Sequence, residues 1–113
     1  MPETDWILTG ILLVAGHGLA DYALQGDYMA KTKDHTNPNN KGIWFHSLFA
    51  HSWIHGGFVA VITGFWWLGV LEAAIHGFTD WLKCDRRITF AADQYVHYAC
   101  KLAWLTIAFL CSP

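Results

Sequence analysis

The chain has 113 residues, of which 54% are hydrophobic and 14% charged, whereas charged residues make up about a quarter of an ordinary soluble domain. The net charge is −2, and the sequence contains no stripe of basic residues that could follow a phosphate backbone, so nucleic acid is not an expected partner. Its three cysteines form no C-x-x-C pair, so disulfides are not expected to hold the fold. The length predicts one domain, residues 1–113, and the composition favours a membrane as its solvent.

The first half of the chain predicts one helix, a loop and the start of a second helix. The first segment covers residues 6–24 and, at about 1.5 Å per residue, approaches the ~30 Å hydrocarbon thickness of a bilayer. Residues 28–41 are polar and contain the turn-forming run T-N-P-N-N, which predicts a loop. Residues 42–71 contain no Asp, Glu, Lys or Arg, and we expect the second helix to end near residues 66–69.

The second half predicts two further helices and completes the fold class. The third segment covers residues 70–83 and the fourth residues 91–111, joined by a polar connector. Together the segments predict an all-α, up-down-up-down four-helix transmembrane bundle. Six of the seven Lys and Arg residues fall in or beside the two connections at one end, which the positive-inside rule assigns to the cytoplasm. We therefore expect a multi-pass protein of the inner (cytoplasmic) membrane with both termini on the non-cytoplasmic side.

Each predicted helix carries a ridge of three polar residues spaced four apart. The ridges are His17, Asp21 and Gln25; Ser47, His51 and His55; Glu72, His76 and Asp80; and Asp93, His97 and Lys101. Residues four apart share one face of an α-helix, and the bundle topology brings all four ridges to the same end. The sequence therefore predicts a His/Asp cluster near one face. At its deepest level Glu72 and Lys101 are expected to pair, because an unpaired charge inside a membrane is costly.

Imidazole and carboxylate groups are the ligands that divalent metals such as zinc prefer. The pair His51 and His55 resembles the i, i+4 histidine pair by which a helix chelates zinc. Eight metal-ligand candidates follow from the ridges: His17, Asp21, His51, His55, His76, Asp80, Asp93 and His97. Four-coordinate zinc needs only four, so the set predicts either two ions or one ion whose ligands are oriented by further carboxylates.

Other roles are assigned from position in the bundle. Catalytic groups are expected among Asp21, Asp80, Asp93, Glu72 and Lys101, and substrate contacts among Gln25, Lys83, Arg86 and Arg87 at the mouth of the cluster. Lys31, Lys33 and Lys41 are interpreted as topology signals. His35 is expected to be only solvated, and His46 to lie on another face of its helix.

The four ridge segments also carry a family resemblance. They read H-G-L-A-D-Y-A-L-Q at 17–25, H-S-W-I-H at 51–55, E-A-A-I-H-G-F-T-D-W-L-K at 72–83 and D-Q-Y-V-H at 93–97. In this order they resemble a family of small bacterial and phage multi-pass proteins, the domain of unknown function 3307, over nearly the whole chain. More distantly, the chain is similar to inner-membrane proteins described as metal-dependent hydrolases. The resemblance supports the grouping of the ridge residues and implies no reaction.

Three functional hypotheses remain open. The first is a metal-dependent hydrolase that acts on a lipid-like or phosphate-bearing substrate at the cytoplasmic interface, with membrane lipid as its partner. The second is a proton or metal-ion transporter or channel subunit, which would need a homo-oligomer or a rearrangement because the polar residues stop before the far face. The third is a phage-encoded regulatory protein of the membrane whose polar core is purely structural.

Overall fold

A computed structural model describes residues 4–113, which form five α-helices and no β-strand. The elements are α1 (Trp6–Gly18), which continues into a π-helical turn (Leu19–Ala23), α2 (Gly26–Thr32), a 3-10 turn (Pro38–Asn40), α3 (Trp44–Thr63), α4 (Trp66–Cys84) and α5 (Phe90–Cys111). The all-α class predicted from the sequence is confirmed, with four long helices and one short one.

The ends of the long helices follow from local capping. Asp5 accepts a hydrogen bond from the Leu8 amide at 3.0 Å and begins α1, and Thr89 accepts one from the Ala92 amide at 3.0 Å and begins α5. Gly64 has a φ of 77°, a left-handed conformation that ends α3 at Thr63. The predicted end of the second helix at 66–69 and start of the third at 70 were therefore wrong, because this glycine cap lies earlier in the chain.

The stretch predicted as a loop, residues 28–41, contains most of α2 and the 3-10 turn, so that prediction was only partly right. Asn40 holds the end of this stretch close to α2. Its side-chain amide donates hydrogen bonds to the backbone carbonyl oxygens of Lys31 and Asp34 at 2.8 and 2.9 Å. The hydroxyls of Thr32 and Ser47 lie 2.7 Å apart and join the end of α2 to α3. These contacts place α2 and the residue that follows it against the end of the bundle that carries the polar ridges.

The long helices pack antiparallel to their neighbours. In the α1–α5 pair, Trp6 stacks edge-on against Phe109 at one end, with ring centroids 5.4 Å apart, and His17 lies 5.5 Å from the Tyr98 ring towards the other end. In the α4–α5 pair, Glu72 contacts Lys101 and His76 stacks on His97. The four long helices therefore alternate in direction, as the up-down-up-down prediction requires.

Helices α3 and α4 approach each other along a line of small residues, here called the small-residue seam. Its members are Ser52, Gly56 and Ala60 on α3 and Gly69, Ala73 and Gly77 on α4. A Cβ atom placed on Gly56 would lie 2.5 Å from the Gly69 carbonyl oxygen, and one placed on Gly69 would lie 2.5 Å from the Gly56 carbonyl oxygen. The two backbones are therefore in direct contact, as in small-xxx-small helix pairs.

Polar residues lie inside the bundle and many large apolar residues lie outside it. Among residues 4–113, 17 polar or charged side chains are buried against eight hydrophobic ones. The buried apolar cluster consists of Leu13, Val59, Leu68, Trp104 and Ala108. Outward-facing side chains such as Val61 and Leu110 are 83% and 73% exposed. The interior of the bundle is therefore largely polar.

One helical stretch in the described residues, Trp6–Ala23, meets both the length and the mean hydropathy of a membrane-spanning helix. A core helix of a soluble protein or a signal sequence can meet the same test, so this finding alone assigns no topology.

Candidate metal centre

The four ridges meet in one buried cluster between the long helices. Its imidazoles are His17 on α1, His51 and His55 on α3, His76 on α4 and His97 on α5, and each of these side chains is at most 2% exposed. Two facts bring them together: the ridge spacing puts each set on one helix face, and the small-residue seam draws α3 against α4. The His55 and His76 rings consequently stack with centroids 3.6 Å apart.

Four side chains of this cluster have the donor atoms and the spacing to hold a metal ion: Asp21, His51, His55 and His76. Oδ1 of Asp21 lies 3.2, 3.4 and 3.9 Å from the Nε2 atoms of His51, His55 and His76, respectively. The Nε2 atoms of His51 and His76 are 3.2 Å apart. Ligands about 2.0–2.1 Å from a tetrahedral zinc ion lie about 3.3–3.4 Å from one another, so three of these four separations fit such a site and the 3.9 Å one is longer.

His55 supplies a second sign that these atoms face a missing partner. Its Nε2 is buried and, although it lies 3.4 Å from Oδ1 of Asp21, it makes no hydrogen bond of acceptable geometry with the residues that the structure describes. A buried polar atom of this kind normally has a partner, because an unsatisfied one costs about 1–3 kcal/mol. A metal ion between the four donors would provide it. We call Asp21, His51, His55 and His76 the metal group.

A second set of possible ligands, Glu72, His76 and His97, adjoins the metal group and shares His76 with it. Oε1 of Glu72 lies 3.7 Å from Nδ1 of His76 and also accepts a hydrogen bond from Lys101. Oε2 of Glu72 accepts a hydrogen bond from the Trp104 indole at 2.6 Å. Glu72 is thus already paired, and it faces the nitrogen of His76 that points away from the metal group.

Gln94 joins the acidic residues of α1 and α5. Its amide nitrogen donates to Oδ2 of Asp21 at 2.7 Å and lies 3.2 Å from Oδ2 of Asp93, while its amide oxygen lies 3.1 Å from Nε2 of His17. Oδ1 of Asp93 lies 3.2 Å from Nε2 of His97. This arrangement fixes the orientation of Asp21 from behind, so that its other oxygen faces the three imidazoles of the metal group.

The mouth of the cluster is built from charged groups around Asp80. Lys33, the residue after α2, is 3% exposed and its ammonium donates to Oδ2 of Asp80 at 2.7 Å and to the Gln25 side-chain oxygen. The ammonium of Lys83 lies 3.0 Å from Oδ1 of Asp80 and 3.7 Å from Oδ2 of Asp93. Oδ2 of Asp80 lies 3.6 Å from Nε2 of His51, so this acidic group separates the metal group from the mouth.

One expectation about the mouth was wrong, and one stays a prediction. Arg86 and Arg87 are exposed, and Arg87 pairs with Asp85 at 2.6 Å in the turn after α4, so their contact with a substrate stays a prediction. His35 is not merely solvated: it stacks on Trp81 with centroids 4.3 Å apart and lies 3.0 Å from Asp85. Hydrogen bonds from Arg87 and His35 hold the pKa of the Asp85 carboxyl below its usual range. These contacts fasten the segment after α2 to α4.

In the structure, all eight metal-ligand candidates lie in one cluster. Glu72, Lys101, Gln25 and Lys83 belong to the same cluster. The predicted pair between Glu72 and Lys101 is confirmed. Sequence reasoning missed Lys33, Gln94 and Trp104. Lys33 lies in a polar connection, and Gln94 follows Asp93 directly and so falls off the ridge spacing. The burial of Gln94 follows from a bundle interior wide enough for two adjacent residues of α5, Asp93 and Gln94, to face it, and the ridge spacing does not indicate this.

Comparisons with known proteins bear on the family and leave the activity open. Searches of curated protein sequences and of solved structures found no match. The model of one family, described as protein of unknown function (DUF3307), matches residues 8–112 and therefore includes all four polar ridges. The chain belongs to this DUF3307 family.

Proposed function

We propose that this protein is a membrane-embedded, metal-dependent hydrolase that acts on a lipid-like or phosphate-bearing substrate at the cytoplasmic interface. The observation that carries the proposal is the convergence of three imidazole nitrogens on one carboxylate oxygen at 3.2–3.9 Å inside a polar core. Buried ionisable groups in such number are costly for a purely structural role. The metal is a divalent ion, and zinc suits the three histidines best.

The distribution of polar and apolar residues supports placement in a membrane. Helices α3, α4 and α5 contain 20, 19 and 22 residues, or roughly 30 Å each at 1.5 Å per residue. This length matches the ~30 Å hydrocarbon core of a bilayer. Their outer surfaces are rich in Phe, Leu, Val and Tyr while their charged residues face inward, as expected of polar groups within membrane-spanning helices.

The positions of the basic residues support a cytoplasmic mouth. Lys31, Lys33, Lys41, Lys83, Arg86 and Arg87 all belong to the end of the bundle where the polar cluster lies. The positive-inside rule assigns this end to the cytoplasm and both termini to the opposite side. A substrate with an apolar tail would reach the cluster with its polar end from the inner leaflet, which suits a multi-pass protein of the inner membrane.

The chemistry would be hydrolysis of a phosphoryl or acyl bond. A divalent ion in the metal group supplies Lewis acidity, which polarises the oxygen of the substrate and makes water more acidic. Asp80 is the carboxylate between that group and the mouth, and we assign it the role of general base that receives the proton of the attacking water. Gln94 holds Asp21 in place, and Glu72 faces the outer nitrogen of His76.

The apolar cluster favours the hydrolase over the transporter alternative. Glu72 is held by Trp104, and this indole belongs to the apolar cluster that also contains Leu13 and Leu68. A hydrated path for protons or ions would have to cross this packed region, where the buried side chain of Thr9 on α1 is the nearest uncharged polar group along that helix. A site whose charged end lies next to the partly exposed Lys83, and whose other end is closed by apolar packing, suits catalysis on a substrate that enters and leaves by the same side.

The decisive experiment is metal analysis of the protein purified in detergent. We expect about one zinc ion per chain in the wild type and loss of at least nine-tenths of it in His76→Ala. His46→Ala is the matched control, because this histidine lies on α3 and is exposed, and it should keep the metal. A wild-type protein without metal above background, after dialysis against zinc, would refute the proposal.

A further inference from the structure

Lys33 is an unusual lysine, because it is buried at 3% exposure although it lies outside the regular helices. Of its three ammonium donors, one is given to the side chain of Gln25 and one to Oδ2 of Asp80. One donor therefore remains, at the level of the cluster that lies closest to the mouth. In the sequence alone, Lys33 has the pattern of a membrane-topology signal and no more.

Lys83 provides a second ammonium beside the same carboxylate. It lies 3.0 Å from Oδ1 of Asp80, and its side chain is 22% exposed, so it is accessible from outside the bundle. Asp80 therefore contacts two lysines, one at each oxygen, and by donor count each ammonium has at least one N–H that Asp80 does not use. Two adjacent ammonium groups with spare donors form a natural site for an oxyanion.

The charge of the whole cluster shows what kind of anion fits. The buried or half-buried ionised groups are four carboxylates, Asp21, Glu72, Asp80 and Asp93, and three ammonium groups, Lys33, Lys83 and Lys101. With neutral imidazoles the cluster has one excess negative charge. One divalent ion turns this into one excess positive charge, which a single negative charge would balance in a region where uncompensated charge is costly.

We propose that Lys33 and Lys83 bind a singly charged phosphate group of the phosphodiester type beside the metal group. This inference rests on the proposed function, since it requires the bound divalent ion for charge balance. It specifies the substrate class: a diester carries one negative charge, whereas a phosphate monoester carries close to two at neutral pH. The shared chemistry could be presented by a phospholipid headgroup or by a soluble phosphate compound.

The test uses the full chain in detergent, loaded with Co²⁺ in place of zinc, and the phosphorus NMR relaxation of added probes. Metal content is measured first. The probes are phosphatidylglycerol in mixed micelles, dibutyl phosphate and inorganic phosphate, so that a lipid source and a soluble source are separated. We expect the paramagnetic ion to broaden the phosphorus signal of at least one diester more strongly than that of inorganic phosphate.

Two lysine variants and a control make the assignment specific. Lys83→Gln should weaken diester binding about ten-fold or more, because a charge-assisted contact is lost. The variant should bind Co²⁺ at least as tightly as the wild type, because a positive charge near the metal ion has been removed. A lysine with a merely structural role would not weaken diester binding while leaving cobalt binding intact. Lys33→Met should act in the same direction, whereas Lys31→Gln, an exposed lysine paired with Asp27, should change neither property.

The outcomes separate the two proposals. Cobalt binding without broadening of any diester signal would overturn the phosphate site and leave the metal centre in place. Equal broadening in Lys83→Gln, Lys33→Met and the wild type would also overturn it. Absence of cobalt binding would remove both proposals, since the charge balance that calls for an anion would not exist.

Discussion

The small-residue seam predicts that one methyl group at Gly56 will disturb both the fold and the metal centre. In Gly56→Ala the new Cβ would lie 2.5 Å from the carbonyl oxygen of Gly69 and 3.0 Å from the Ala73 side chain. The first neighbour is backbone and cannot rotate away. Helices α3 and α4 must therefore separate by roughly 0.5 Å or more to reach a tolerable contact.

Gly57→Ala is a matched control for the loss of stability caused by overpacking in Gly56→Ala. Gly57 is on the same helix, and a Cβ placed there meets no atom within 4 Å. Both substitutions gain the same helix propensity, about 1 kcal/mol, so the difference between the variants isolates the packing term. Overpacking of this kind costs about 1–3 kcal/mol, and we expect Gly56→Ala to unfold at a temperature roughly 4 °C or more below that of Gly57→Ala.

The assay is thermal unfolding in detergent, followed by tryptophan fluorescence, together with a zinc competition titration. Separation of α3 from α4 moves His55 away from His76, whose rings are 3.6 Å apart, so zinc affinity should fall in Gly56→Ala and not in Gly57→Ala. Equal midpoints and equal zinc affinities for the two variants would refute the claim that the seam sets the geometry of the metal group.

Two further predictions concern groups at opposite ends of the polar cluster. Glu72→Gln should weaken zinc binding about 10–100-fold in a chelator competition, because His76 loses the carboxylate beside its outer nitrogen, and an unchanged affinity would contradict that role. By NMR, the Asp85 carboxyl should titrate with a pKa below the ordinary range of an aspartate, and Arg87→Gln should raise that pKa. Because the folded-state pKa is lowered, the stabilisation from Asp85 is present above the unfolded value and is lost as pH falls through the folded one.

The sequence predicted the polar cluster well because every ridge is a local pattern. A spacing of four residues fixes one helix face without knowledge of the neighbouring helix, and alternating helix direction then fixes the end of the bundle. The same reasoning correctly paired Glu72 with Lys101 across two helices. The same reasoning misplaced the boundary between α3 and α4. Residues 65–68, which follow Gly64, are apolar or aromatic like the end of α3, so Gly64 is the sequence signal that marks the turn.

Lys33 and His35 were missed because their contacts are made between distant parts of the chain. Lys33 reaches Asp80, which is 47 residues away, and His35 reaches Asp85, which is 50 residues away. A polar connection of this composition is usually solvated, and composition holds no sign that it folds back over the bundle. The small-residue seam did have a local signal, since Ser52, Gly56 and Ala60 are themselves spaced four apart, and reading this pattern would have located the α3–α4 contact.

The proposed membrane topology also explains why, within residues 4–113, only one helical stretch has the mean hydropathy of a membrane span. This mean is taken over all sides of a helix, and α4 carries Glu72, Asp80 and Lys83 within one span. These three groups face the interior, where they pair with Lys101, Lys33 and one another, while the opposite side presents residues such as Val70, Leu71 and Phe78. A bilayer meets only that outer side. In the proposed topology, ion pairing and the bound metal ion offset the cost of placing these charges inside the bundle. The mean hydropathy of α4 is low because it includes these inward-facing residues, which the lipid does not contact.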